Sequence, residues 1–224
     1  DSGRVERELP VVFSGTTQSL TQEFEDEFES EKLDRRWNFR RVPRPGTWSL
    51  QERPGFLRLN ARPDVIHERG RASLTGFRQT ESDFRFSARM AFDASGEGSE
   101  AGIALFQKDD NFLTFTIRAG SESPFLRVAV VSTDEHRPVV LEAPLPEYAG
   151  DITLEATSIG GSYRFAYALD ASASATPLAL LPANLLLSRG YTGAYLGLYS
   201  STNGRVAPAH ADFDWVRYEA VQRP

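Results

Sequence analysis

Nine consecutive residues constrain this chain more than any others. In Phe84-Arg85-Phe86-Ser87-Ala88-Arg89-Met90-Ala91-Phe92 the large apolar residues all fall in one register, and Arg85, Ser87 and Arg89 fall in the other. A period of two puts Phe84, Phe86, Ala88, Met90 and Phe92 on one face of an extended strand. Shorter segments of the same kind recur along the chain. Phe112 to Arg118 is aromatic and β-branched, and Leu126 to Val131, Ile152 to Thr157 and Tyr163 to Leu169 continue the theme. Trp48 to Glu52 meets Phe56 to Asn60 across Arg53-Pro54-Gly55, where Pro-Gly marks a turn. Gly96-Glu97-Gly98 reads as a hairpin tip. No segment carries a long apolar stripe at helical spacing. Leu178 to Leu187 has room for one helical turn, and Pro182 argues against more. Many short strands separated by Gly and Pro turns mean a sandwich or a barrel. The expectation is all-β: a jelly-roll β-sandwich of two antiparallel sheets over residues 21–224, after a tail or linker at residues 1–20. Val11-Val12-Phe13 is a candidate docking strand within that tail.

Composition limits the partners. The formal net charge of -6 and the absence of a basic stripe argue against nucleic acid. No apolar run is long enough to span a bilayer, so no membrane partner is expected. With no cysteine the chain has no disulfide, thiolate metal site or cysteine nucleophile, and either a secreted or a cytoplasmic setting is compatible with it.

A series of short motifs carries a resemblance. In order they are Phe24-Glu25-Asp26-Glu27-Phe28, Leu33-Asp34-Arg35-Arg36-Trp37, Trp48-Ser49-Leu50, Arg53-Pro54-Gly55 and Leu57-Arg58-Leu59. Phe77-Arg78-Gln79, Glu100-Ala101-Gly102-Ile103, Leu186-Leu187-Ser188 and Tyr191-Thr192-Gly193-Ala194-Tyr195-Leu196-Gly197 come next, and Ala211 to Tyr218 closes the series. Each motif is weak alone; their order and spacing resemble the C-terminal sandwich domain of family 43 glycoside hydrolases, the β-xylosidase and arabinofuranosidase group. The resemblance implies a concanavalin A-like fold. It supplies no catalytic residue, because in those enzymes the working carboxylates sit on a five-bladed propeller that precedes this domain. It also implies a role for Tyr191: in the resembled enzymes the aromatic at that position reaches toward the catalytic pocket and helps close it.

Several constellations invite a chemical reading. Glu23, Glu25, Glu27 and Glu29 would share a face of one straight strand, and a retaining glycosidase needs two carboxyls about 5 Å apart. The middle Asp of the jelly-roll glucanase motif is absent from their register. Asp26, Asp212 and Asp214 are candidate donors for a structural calcium joining the first and last strands, since calcium takes several oxygen ligands; plain solvated carboxylates are the alternative. His210, Asp212 and Asp214 alternate, opposite Phe213 and Trp215, which read as core. Sugar binding uses aromatic platforms and polar donors. Tyr191, Arg78, Gln79 and Trp48 are the candidates for it, with Tyr195, Tyr199, Phe106 and Phe112 as further aromatics that would otherwise be core.

The expected function is a non-catalytic, carbohydrate-associated module. Its partners would be a xylan or arabinoxylan-type plant cell-wall glycan, a glycosidase catalytic domain, or both. A jelly-roll glycoside hydrolase or polysaccharide lyase working through the Glu25 and Glu27 region, or through a set of Arg, Gln, His and Tyr side chains, is one alternative. A lectin or laminin-G-like interaction domain is the other.

Overall fold

A computed structural model describes residues 23–132, 139–170, 174–186 and 193–221; the tail at residues 1–20 and its Val11-Val12-Phe13 segment lie outside them. The strands are β1 (Phe24–Asp26), β2 (Asn38–Phe39), β3 (Trp48–Ser49), β4 (Leu57–Asn60), β5 (Ser73–Arg78), β6 (Phe84–Phe92), β7 (Glu100–Lys108) and β8 (Asn111–Arg118). Then come β9 (Phe125–Val131), β10 (Val139–Pro144), β11 (Asp151–Ile159), β12 (Ser162–Ala168), β13 (Thr176–Pro182), β14 (Tyr195–Ser201) and β15 (His210–Ala220). One sheet runs β13-β12-β11-β6-β15-β4-β3, with β1 also on β15; the other runs β10-β9-β8-β7-β14-β5-β2. Every pairing between these strands is antiparallel. The expected two-sheet sandwich is the fold that forms.

The alternation in β6 decides how the layers meet. Phe84, Phe86, Ala88, Met90 and Phe92 are all buried and belong to one core. The second sheet answers with Ile103 and Leu105 from β7, Leu113, Phe115 and Ile117 from β8, and Leu196 and Leu198 from β14. Phe77 sits between Phe24, Trp37, Phe86 and Tyr218, with ring centroids 4.7–5.7 Å apart. Edge contacts of this kind stabilise the core beyond the area they bury. The Pro54-Gly55 turn forms as expected: Gly55 has φ +81° and Trp48 pairs with Leu59.

The room for one helical turn between Leu178 and Leu187 is taken by a 3₁₀ turn at Ala183–Leu185, after a strand at residues 176–182. Three local expectations are corrected. Gly96-Glu97-Gly98 is not a hairpin tip, because β6 and β7 lie in different sheets and the turn carries the chain across the sandwich. The acidic opening is not one straight strand: β1 stops at Asp26, and Phe28 turns to φ +53°. Finally, β15 carries a bulge. Phe213 pairs with Met90 but Trp215 pairs with Arg89, so Asp214 is an extra residue. A bulge shifts the facing of the residues beyond it. Phe213 is fully buried, whereas Trp215 is half-exposed under the Arg217 guanidinium, 4.4 Å from its ring centroid; Val216 and Tyr218 take the inward places.

Candidate functional site

The second sheet has an outer face as well as a core face. Cross-strand register sorts its side chains into rows. Arg78, Tyr195, Phe106 and Phe112 form one row, and Gly76, Gly197, Ala104 and Thr114 the next. Ile66 comes over this face from the loop before β5. It forms a small apolar cluster with Leu74, Ala104, Phe112 and Tyr199. Tyr199 and Phe112 are therefore buried packing residues, not sugar platforms. Burial pushes the Tyr199 hydroxyl well above the ordinary phenol range, so it stays protonated.

On one side of Ile66 lies a pocket of about 220 Å³ lined by Asn38, Phe39, Arg40, Leu74, Gly76, Phe106, Tyr195 and Gly197. Its floor is the Gly76–Gly197 cross-strand pair. A β-carbon on either glycine would stand 2.6 or 2.5 Å from a facing backbone carbonyl oxygen. Side chains larger than hydrogen are thus excluded, and the floor stays bare. Phe106 and Tyr195, paired across β7 and β14, wall one end.

Arg78 and Gln79 sit at the lip. Arg78 donates to the Tyr195 hydroxyl at 3.2 Å and its guanidinium lies 4.9 Å from the Tyr195 ring centroid. A β-carbon on Gly193 would stand 2.7 Å from Arg78 Nη1, so the guanidinium lies over that glycine. Gln79 donates its backbone N–H to Ala194 O at 3.0 Å, and its side-chain amide to Glu81 O at 2.8 Å. The Tyr218 hydroxyl fixes this corner by accepting the N–H groups of Thr80 and Glu81 at 3.2 and 2.8 Å. Arg78, Gln79 and Tyr195 are thus gathered beside Gly193, where the described chain resumes. Tyr191 lies outside the described residues. Trp48 is not part of this lip. It lies on β3, at the edge of the other sheet, with its ring stacked on Phe39 at 5.7 Å.

The remaining acidic candidates are engaged separately. Asp26 accepts Phe28 N at 2.9 Å and Trp37 Nε1 at 2.8 Å. Asp212 accepts Arg58 Nε and Nη2 at 2.7 and 2.9 Å and Arg53 Nη1 at 3.1 Å. Burial is the strongest single influence on Asp212 and raises its pKa. The hydrogen bonds from Arg58 and Arg53, together with the charges of Arg58 and His210, outweigh it and leave the carboxyl below its usual range. Asp214 faces Arg89 Nε at 3.9 Å. These three each keep separate partners. No group of three or more His, Cys, Asp or Glu among the described residues is placed to hold a metal ion. Glu25 and Glu27 are exposed and share one cation, with Arg217 at 2.6 and 3.8 Å.

Comparison with known proteins places this architecture. The model of the β-xylosidase C-terminal concanavalin A-like domain matches residues 25–219. The chain is 28% identical over 207 residues to a non-reducing end α-L-arabinofuranosidase, BoGH43B, of Bacteroides ovatus, covering 90% of this chain and 38% of that protein. It is 29% identical over 220 residues to a xylosidase/arabinosidase of Butyrivibrio fibrisolvens, covering 97% of this chain and 41% of that one. Among solved structures, the GH43B protein of the Bacteroides ovatus xyloglucan locus aligns at TM-score 0.78 and 26% identity, over 97% of this chain and 42% of its own. The GH43 protein BlXynB of Bacillus licheniformis aligns at TM-score 0.79 and 25% identity, over 88% and 39%. The chain therefore spans 38% and 41% of the length of the two curated relatives.

Proposed function

We infer the function from the family to which this chain belongs, the β-xylosidase C-terminal concanavalin A-like domains: the domain works beside a family 43 glycosidase catalytic domain and itself carries no catalytic machinery. Its lip at Arg78, Gln79 and Tyr195 borders the substrate entrance of that partner and helps to close it over a xylose- or arabinose-bearing glycan, the role that the family resemblance gives to Tyr191. The observation that carries this reading is the convergence of Arg78, Gln79 and Tyr195 beside Gly193. Arg78 is exposed, and the hydrogen bond it donates goes to a neutral hydroxyl. A guanidinium has five N–H donors, so others can meet a glycan hydroxyl or an acceptor on the partner. The non-catalytic side of the reading is supported by Glu25 and Glu27, which are both exposed and lean on the same arginine. A glycosidase acid–base pair instead places its two carboxyls in contrasting surroundings, one apolar and one polar.

The test uses this chain joined behind a family 43 catalytic domain, in the order of its relatives. Arg78→Ala and Tyr191→Ala are each expected to lower kcat/KM on an aryl-arabinoside or aryl-xyloside about tenfold. For Arg78→Ala the cost in stability is expected to stay within about 0.5 kcal/mol, as is usual for surface positions. Unchanged kinetics in both variants would remove the lip from the partner's active site.

A further inference from the structure

We propose that the pocket on the outer face of the second sheet is a binding site for one neutral sugar ring. The floor is flat because Gly76 and Gly197 meet there, and packing forbids a side chain at either. A flat floor bounded by the Phe106 and Tyr195 rings offers a sugar ring's apolar face a surface to lie on. The Asn38 amide and Arg40 supply polar groups at the walls. A volume of about 220 Å³ suits a single ring and is too small for a peptide helix or strand.

Donor geometry decides between a neutral sugar and a sugar acid. Arg40 is the one charged residue in the lining, and it shares the Asp109 carboxylate with Arg41, whose Nη2 lies 3.2 Å from it. Arg40 Nε donates to Asp109 at 2.9 Å, Nη2 bonds the same carboxylate, and Nη2 also donates to Glu68 O at 2.9 Å. The Arg40 side chain is only 5% exposed, and its Nη1 has no protein partner among the described residues. With Nε and Nη2 engaged, this wall offers Nη1 as a single donor and no free fork for a bidentate carboxylate. Such a donor suits a hydroxyl or ring oxygen better than a carboxylate. The pocket shares Tyr195 with the lip that faces the catalytic partner, but Arg78 and Gln79 lie outside its lining; only the choice of pentoses over hexoses rests on the partner reading.

The test is a nuclear magnetic resonance titration of the isotope-labelled chain with L-arabinose, D-xylose and D-glucuronate. Saturable shifts of the Gly76 and Gly197 amides with the two pentoses, weaker with glucuronate, are the expected result. Phe106→Ala removes a wall and is expected to weaken the affinity about tenfold. Asn38→Leu removes an exposed amide at the edge strand, with its hydrogen bond to Arg36 O at 2.6 Å, and is expected to weaken it with the spectrum unchanged away from residues 36–38, which guards against a folding defect in the first variant. The proposal falls if no sugar moves these two amides, if glucuronate binds more tightly than the pentoses, or if neither variant weakens binding. Shifts confined to Arg78 and Gly193 would refute the pocket and leave the partner reading intact. Shifts at Gly76 and Gly197 alongside unchanged kinetics of the Arg78→Ala joined protein would do the reverse.

Discussion

Phe213→Ala is expected to destabilise the domain by about 3–5 kcal/mol, whereas Trp215→Ala, two residues further on, is expected to cost only about 1 kcal/mol. Strict alternation along β15 would make the two equal, since both would face the core. The bulge at Asp214 separates them. Phe213 is fully buried among core residues, so its truncation leaves a cavity lined by groups that cannot all close in. Trp215 keeps one face in contact with the Arg217 guanidinium, an arrangement worth about 0.5–1 kcal/mol at an exposed site. Denaturant midpoints of the two variants, at unchanged slope, measure the difference. Equal losses would mean that the bulge does not turn Trp215 outward.

Asp212→Ala is the second large effect. Its carboxylate takes two hydrogen bonds from Arg58 and one from Arg53, and its side chain is 6% exposed. Removing it leaves Arg58 with only the longer contact to Glu52, at 3.3 Å, near the junction where β4 gives way to β1 along β15. Hydrogen bonds to a charged group contribute about 1.5–3 kcal/mol, and a loss of that size is expected. The pH dependence takes its sign from the direction of the shift. The folded carboxyl titrates below its usual 3.8, so its contribution is complete above the unfolded value and is lost as pH falls through the folded one. Arg53, Arg58 and His210, the last at 3.8 Å, are the charged or titratable groups facing it. Asp212→Asn is expected to flatten the acid limb of stability below about pH 4. An acid limb unchanged by that substitution would show that the ion pair contributes nothing in solution.

The legibility of each feature in the sequence depends on how local its cause is. The β6 face and the Pro54-Gly55 turn are readable because neighbouring residues alone determine them. The bulge at Asp214 is not, because it marks the place where β15 exchanges one neighbouring strand for another, and nothing in Phe213-Asp214-Trp215 announces that. Gly96-Glu97-Gly98 has turn chemistry, yet the same chemistry serves a hairpin and a crossing between sheets. At the lip, the motif Phe77-Arg78-Gln79 points to Arg78 and Gln79, while Tyr195 is only one aromatic among several. The pocket leaves no signal in the sequence. Its floor joins Gly76 to Gly197, and its wall joins Arg40 to Asp109, 69 residues apart. Only the strand order makes such residues neighbours. Trp48 reads as an exposed platform from its own segment, but the stacking on Phe39 that closes the sandwich edge is a contact between separate strands of the same kind.

The assignment to an accessory role is tested most directly by turnover of aryl-arabinoside and aryl-xyloside in three samples: this chain alone, a family 43 catalytic domain alone, and the two joined. The chain alone is expected to show no turnover above background, and the joined protein to exceed the catalytic domain alone by at least about tenfold in kcat/KM. Turnover by the isolated chain that disappears in Glu25→Gln or Glu27→Gln, or a joined protein no faster than the catalytic domain by itself, would contradict the assignment.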